Sequence, residues 1–144
     1  MPSPALRLHS ADYGASMDLD YVTDLAARVK AQGLHFLLCL HDSDTWADPG
    51  QQTPPAAWSG MSHARLVSAV HPYASDVIAH LRTNGAMPEM VQIGNETTCG
   101  MLWPDGEVCS HGNGANYVDL IDAAQSGIDA GRGSEPMPRQ RSWR

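Results

Sequence analysis

Apolar positions recur along this chain in two alternating rhythms. Ala5-Leu6-Arg7-Leu8-His9 is a short run of strand length. Tyr21, Val22, Leu25, Ala26 and Val29 then return at the spacing of an amphipathic helix. Asp18 stands where an N-cap carboxylate would accept the first free N–H groups, and Gly33 where a left-handed residue would close that helix. His35-Phe36-Leu37-Leu38-Cys39-Leu40-His41 is nearly continuous in apolar residues, the pattern of a parallel strand covered on both faces. A second helical stripe, Leu66, Val70, Tyr73, Val77 and Leu81, runs toward Asn84-Gly85. Pro72 inside it removes an N–H and crowds the carbonyl one turn earlier, so a kink or a break is expected there. Met90-Val91-Gln92-Ile93-Gly94 reads as a third strand, and Tyr117, Ile121, Ala124 and Ile128 mark a third helix after the Asn113-Gly114 loop. The order β-α-β-α-β-α predicts an α/β fold of parallel strands joined by right-handed crossovers.

The pattern stops at Gly131. From there to Arg144 the chain carries four of its nine Lys plus Arg residues (Arg132, Arg139, Arg141 and Arg144), two prolines and no apolar periodicity. Residues 131–144 therefore read as an atypical basic tail, solvated and disordered, beyond a single domain at 1–130. The remainder is ordinary for a globular protein, with 42% hydrophobic residues. A formal net charge of −7 argues against a nucleic-acid partner. No apolar run approaches the roughly 18 residues of a membrane span, so no membrane partner is expected. The first residues lack the basic and apolar regions of a signal peptide. Cys39, Cys99 and Cys109 suggest neither a disulfide framework nor a zinc site, and read as buried or incidental thiols.

Side chains at the C-terminal ends of barrel strands face the active site, and two such ends here are loaded with polar groups. One is His41-Asp42-Ser43-Asp44-Thr45-Trp46-Ala47-Asp48-Pro49. The other is Ile93-Gly94-Asn95-Glu96, followed by Gly100-Met101-Leu102-Trp103-Pro104. Polar clusters containing tryptophan suit sugars, because an indole face stacks on pyranose C–H groups while side chains bond hydroxyls. A carboxyl at a strand mouth, partly desolvated and facing a second carboxylate, keeps its proton near neutral pH. Glu96 is the candidate: such a group protonates a glycosidic oxygen as the bond breaks and later activates water. For His41, Asp42, Asp44 and Asp48, substrate contacts, loop capping and metal binding are all readings of the same cluster, though no regular ligand spacing is present. Cys99, Cys109 and His111 fit no familiar zinc knuckle, and His111-Gly112-Asn113-Gly114 lacks the full phosphate-cradling pattern.

Two long segments carry a resemblance. Ser43 to Gln52, running on to Pro54-Pro55-Ala56-Ala57-Trp58, resembles the loop after the third strand of family 53 glycoside hydrolases. Val91 to Glu96, with Gly100 to Glu107, resembles that family's fourth strand and following loop, and Arg7 matches the arginine of its second strand. The resemblance holds in register from about Ala5 to about Ile128. It implies a fragment of a (β/α)8 TIM barrel of about three βα units, the second to the fourth. It also implies the activity of an arabinogalactan endo-β-1,4-galactanase, which cleaves internal β-1,4-galactosidic bonds of type I arabinogalactan with retention. Glu96 would be the general acid/base and Asn95 would contact the sugar 2-hydroxyl. Arg7 would support the catalytic carboxylates, while His41, Trp46, Asp48 and Trp103 would line the cleft. The implied partner is β-1,4-galactan, with no metal or cofactor, and the family is usually exported. A rival retaining barrel acting on mannan or cellulose is disfavoured by the Asp44-Thr45-Trp46-Ala47-Asp48-Pro49 loop.

The departures are as informative. Cys39 stands where an aspartate is usual, Asp42 where an apolar or aromatic residue is usual, and Pro72 interrupts a helix. The first strand and the last four units have no counterpart, so the barrel is expected to be incomplete. Its edges and apolar interior, Cys39 included, would then face water or another chain. Retention needs two carboxyls about 5–5.5 Å apart. Glu89 precedes a strand, Glu107 lies well into a loop and Glu135 falls in the tail, so none of them suits the nucleophile. The alternative expectation is a truncated, catalytically inactive fragment with at most weak oligosaccharide binding. The tail has the signature of a frameshift or early stop, because it leads toward a fifth strand and then abandons the apolar pattern.

Overall fold

Strands and helices alternate as the apolar pattern predicts in the computed structural model, which describes residues 5–8 as backbone and residues 17–134. β1 (Ala5–Leu8), β2 (Leu37–Leu40) and β3 (Met90–Ile93) form a parallel sheet in that spatial order. Leu8 lies opposite Leu40, and Leu40 opposite Ile93, so the strands end level. The segments that follow β2 and β3 therefore leave the sheet side by side. Among the described residues the sheet has three strands and does not close on itself.

α1 (Leu19–Ala31) starts where Asp18 accepts the Tyr21 N–H at 2.9 Å, and ends at Gly33, whose φ of 69° suits a residue without a Cβ. Its Val22 and Ala26 pack with Phe36 just before β2, with Leu38 and Leu40 of the sheet, and with Ala74, Val77, Ile78 and Leu81 of α2 (His63–Thr83). Each large side chain buried in this layer contributes about 1.5–3 kcal/mol. That explains the fate of Pro72. No break occurs, and α2 runs through it, because Val70 on one side and Ala74, Val77 and Ile78 on the other are locked in the core. Their combined burial outweighs the roughly 3 kcal/mol cost of an internal proline.

α3 (Gly114–Arg132) lies directly on α2. A Cβ at Gly127 would stand 2.2 Å from the His71 carbonyl oxygen, and one at Gly131 2.3 Å from that of Ser75. The two glycines, one turn apart, let the helix backbones touch. Gly131 and Arg132 thus belong to the last turn of α3 rather than to a tail beginning at 131, and the remainder of the expected tail from Glu135 lies outside the described residues. Among the described residues no helix is long and apolar enough to cross a membrane.

The loop between β3 and α3 holds a hairpin that no periodicity announced, β4 (Gly100–Met101) against β5 (Gly106–Glu107). Two-residue strands are too short to show a rhythm. Met101 and Leu102 anchor it in a second apolar cluster with Leu66, Val70, Leu120 and Ala124. The hairpin brings Cys99 and Cys109 to a Cα separation of 5.0 Å, within bridging range, and they form a disulfide. The reading of both as unpaired thiols is therefore corrected: ten residues of spacing become a bridge only because the hairpin doubles the chain back. Cys39, expected to face water or another chain, is buried. Gln92, Gly94 and Asn95, in β3 and just beyond it, lie against its sulfur.

Candidate active site

The level strand ends place the two polar segments in one mouth. His41 directly follows β2 and is 1% exposed, its ring meeting Trp46 edge-on with centroids 6.3 Å apart. Trp46 is itself 53% exposed and offers an indole surface to solvent at the mouth. Below them Cys39 lies against the Gln92 side-chain nitrogen at 3.3 Å and the Gly94 carbonyl at 3.6 Å. The backbone register aligns Arg7, Cys39 and Gln92 in one row, while the Arg7 side chain lies outside the described residues.

Asn95 and Glu96 follow β3 through a tight turn. Gly94 has φ 72° and Glu96 φ 50°, and a Cβ on Gly94 would collide with the Thr97 methyl at 2.4 Å. Asn95 is 6% exposed and donates through Nδ2 to the Ala47 carbonyl at 2.7 Å, tying the end of β3 to the β2 loop. Glu96 is exposed, which differs from the partly desolvated setting expected for it. Among the described residues three strands wall one side of the mouth.

The acidic loop residues divide between roles. Asp48 Oδ1 accepts the Gly50 N–H at 2.7 Å, and Asp44 Oδ2 accepts the Ala56 N–H at 2.7 Å, so both brace their own loop. Asp42 is 5% exposed with φ 55°, and its Oδ2 has no hydrogen-bond partner among the described residues. Burial pushes its carboxyl up to about 7. Tyr73 of α2 is near: burial, then the charges of Asp42, Cys39 and Asp44, push its hydroxyl well above the usual range. Among the described residues no group of three or more His, Cys, Asp or Glu side chains is arranged to hold a metal ion.

Trp103 is half-buried in the β4–β5 loop, its indole N–H donating to the Cys99 carbonyl at 3.1 Å and its backbone N–H to the Gln52 carbonyl at 2.8 Å. Thus Trp46, His41, Asn95, Glu96 and Trp103 converge from two loops, with Gln52 between them. The pattern did not single out Gln52. It follows a Pro49-Gly50 turn like any loop residue, and nothing local signals that it is buried.

Two glutamates sit elsewhere. Glu89, just before β3, binds the Phe36 N–H at 3.0 Å and pairs with Lys30 and His35 beneath the sheet. Glu107, in β5, pairs with His111 at 2.7 Å.

Comparison with known proteins places this geometry. The sequence pattern of Glycosyl hydrolase family 53 matches residues 4–139. Arabinogalactan endo-β-1,4-galactanase A of Aspergillus niger is 44% identical over 103 residues, which are 72% of this chain and 29% of that protein. The solved catalytic domain of an Ignisphaera aggregans member of the same family superposes with a TM-score of 0.80 at 36% identity, covering 88% of this chain and 37% of that one. A structure from a study of two fungal β-1,4-galactanases superposes with a TM-score of 0.86 at 34% identity, covering 94% and 40%. The chain spans less than a third of the length of the curated relatives compared with it, between 28% and 31%.

Proposed function

The chain belongs to glycosyl hydrolase family 53, and on that premise we propose that it carries the acid/base side of an endo-β-1,4-galactanase site, with Glu96 as general acid/base. The observation that carries this reading is the place of Glu96. It is the glutamate at the C-terminal end of the sheet, next to buried Asn95 and between the Trp46 and Trp103 loops. In this reading the three strands are the second to the fourth of a (β/α)8 barrel, and β-1,4-galactan of type I arabinogalactan is the substrate.

The chemistry follows from that arrangement. As the galactosidic bond stretches, Glu96 gives its proton to the leaving oxygen, and a second carboxylate attacks the anomeric carbon from the opposite face. Glu96, now ionised, then takes a proton from the water that releases the sugar. Asn95 holds the 2-hydroxyl, whose hydrogen bond strengthens as charge develops at the neighbouring carbon. Trp46 and Trp103 stack on the sugar rings, with His41 and Asp48 shaping the cleft and Arg7 supporting the carboxylates. Glu89 and Glu107 do not serve as the nucleophile, since one is engaged beneath the sheet and the other with His111. The attacking carboxylate comes from the part of the barrel that the chain's match does not span.

A chimaera tests this. Residues 5–132 replace the matching segment of a fungal β-1,4-galactanase, and the folded product should release reducing ends from galactan but not from mannan or cellulose. In it, Glu96→Ala should slow galactan cleavage by about 10²–10⁴-fold. Aryl galactosides with acidic leaving groups, which need little protonation, should be spared. Equal loss on both substrates would count against the acid/base role. The 144-residue chain alone should release no reducing ends, a second reading favoured by its single strand-end glutamate among the described residues. Release that disappears on Glu96→Gln would overturn that.

A further inference from the structure

Glu96 adopts a conformation that a glutamate does not choose for itself. Its φ of 50° lies in the left-handed region, where the Cβ crowds the backbone and where asparagine, aspartate or glycine is the usual occupant. Something must hold it there. The peptide plane that sets this angle is the one joining Asn95 to Glu96, and its carbonyl oxygen is 2.7 Å from Nε2 of Gln52.

Gln52 is only 2% exposed and reaches that plane from 43 residues away. Its Nε2 carries two protons. One is aimed at the Asn95 carbonyl and the other serves the Asp48 carbonyl at 3.0 Å, with the Glu96 carbonyl a longer 3.5 Å off. Its own backbone carbonyl accepts the Trp103 N–H at 2.8 Å. One residue therefore touches the backbone of the Asp48 turn, of the Asn95–Glu96 peptide and of the Trp103 loop. The Asn95 side chain adds a parallel tie to Ala47. That tie fixes the Asn95 side chain and leaves the orientation of the following peptide plane to Gln52.

We propose that Gln52 is the positioning residue of this site: its carboxamide pins the Asn95–Glu96 peptide, holds Glu96 in the left-handed region and ties the Asp48 turn to that same point, while its backbone carbonyl holds the Trp103 loop beside it. The proposal rests on the reading of Glu96 as the acid/base. With that plane held, a rotation about the Glu96 N–Cα bond out of the left-handed region would swing the Glu96 side chain to a different side of its backbone. A wrong sign of charge at Gln52 would drive this, since a carboxylate there would face carbonyl oxygens in place of its donor.

The test uses the 144-residue chain, labelled with ¹³C and ¹⁵N, and two variants. Gln52→Met keeps the length without the donors, and Gln52→Glu keeps the shape and reverses the polarity. The readout is the one-bond Cα–Hα coupling, which separates positive from negative φ. Asp42, also left-handed at φ 55° but not bonded to Gln52, is the control. In both variants Glu96 should lose its positive-φ signature while Asp42 keeps its own. Glu96 unchanged in a folded variant overturns the proposal. So does loss at both residues, which is the result of a merely structural glutamine. If neither variant folds, the unmodified chain decides: a through-hydrogen-bond coupling from Gln52 Nε2 to the Asn95 carbonyl carbon supports the clamp, and its absence refutes it. Failure of the acid/base reading is distinct. It would show as intact galactan cleavage by the Glu96→Ala chimaera while the coupling result stands.

Discussion

Replacing Asp42 by asparagine should stabilise the fold, by an amount that grows as the pH rises. Asp42 is 5% exposed, and its Oδ2 has no hydrogen-bond partner among the described residues. Burial moves its carboxyl from 3.8 to about 7. Across that window the folded chain keeps a proton that the unfolded chain has released, so stability falls with rising pH and levels off above the folded value. At about 1.4 kcal/mol for each pH unit the full loss is about 4 kcal/mol. That is a large share of the 5–15 kcal/mol typical of a folded domain. Water reaching the group, or relaxation of Tyr73 and the loop around it, would reduce it. The assay is urea unfolding of the parent chain and Asp42→Asn at several pH values between 5 and 8. The difference in unfolding free energy should widen by about 1.4 kcal/mol per pH unit up to near pH 7 and then stay constant. A difference that does not change with pH, or that narrows, would refute the assignment of a buried, proton-holding carboxyl. Taking the difference removes contributions common to both chains, His63 among them.

His63 bridges Asp105 at 2.8 Å and Asp119 at 3.2 Å, and these hydrogen bonds hold its imidazole above its ordinary 6.5. Its stabilisation is complete below 6.5 and lost as pH rises through the folded value, so His63→Gln should flatten that part of a thermal-midpoint profile. Glu89 behaves oppositely: burial raises its carboxyl, but hydrogen bonds from Lys30, the Phe36 N–H and His35 outweigh burial and leave it below 4.5. Its contribution is present above 4.5 and vanishes as pH falls through the folded value, and Glu89→Gln should remove that acid limb. Gly127→Ala forces a Cβ to 2.2 Å from the His71 carbonyl oxygen and should cost about 1–3 kcal/mol despite alanine's better helix propensity. A raised melting temperature would show that α2 and α3 are not in close backbone contact. Reducing the Cys99–Cys109 bridge should lower stability by about 2–3 kcal/mol and alter Trp103 fluorescence, since Cys99 also holds the indole N–H.

Much of this protein is legible along the chain because helices and strands are decided by residues no more than a turn apart. Asp18 and Gly33 bound α1 as their side-chain chemistry requires, and the run from Phe36 to Leu40 marks a strand buried beneath helices. The two segments ending in Pro49 and Glu96 contain the polar residues that meet at the sheet's C-terminal edge. What local pattern cannot carry is any property set by a partner far away in sequence. Pro72 reads as a breaker until the apolar residues on both sides are seen locked in the core, and Cys99 and Cys109 read as thiols until β4 and β5 pair. Cys39 is covered by Gln92 and by Gly94 and Asn95 at the end of β3, while Glu96, one residue further on, is exposed. Gln52 is the extreme case. One loop glutamine differs from its neighbour Gln51 only in being buried, and it acquires its contacts with Asn95 because two parallel strands end level and set their loops side by side.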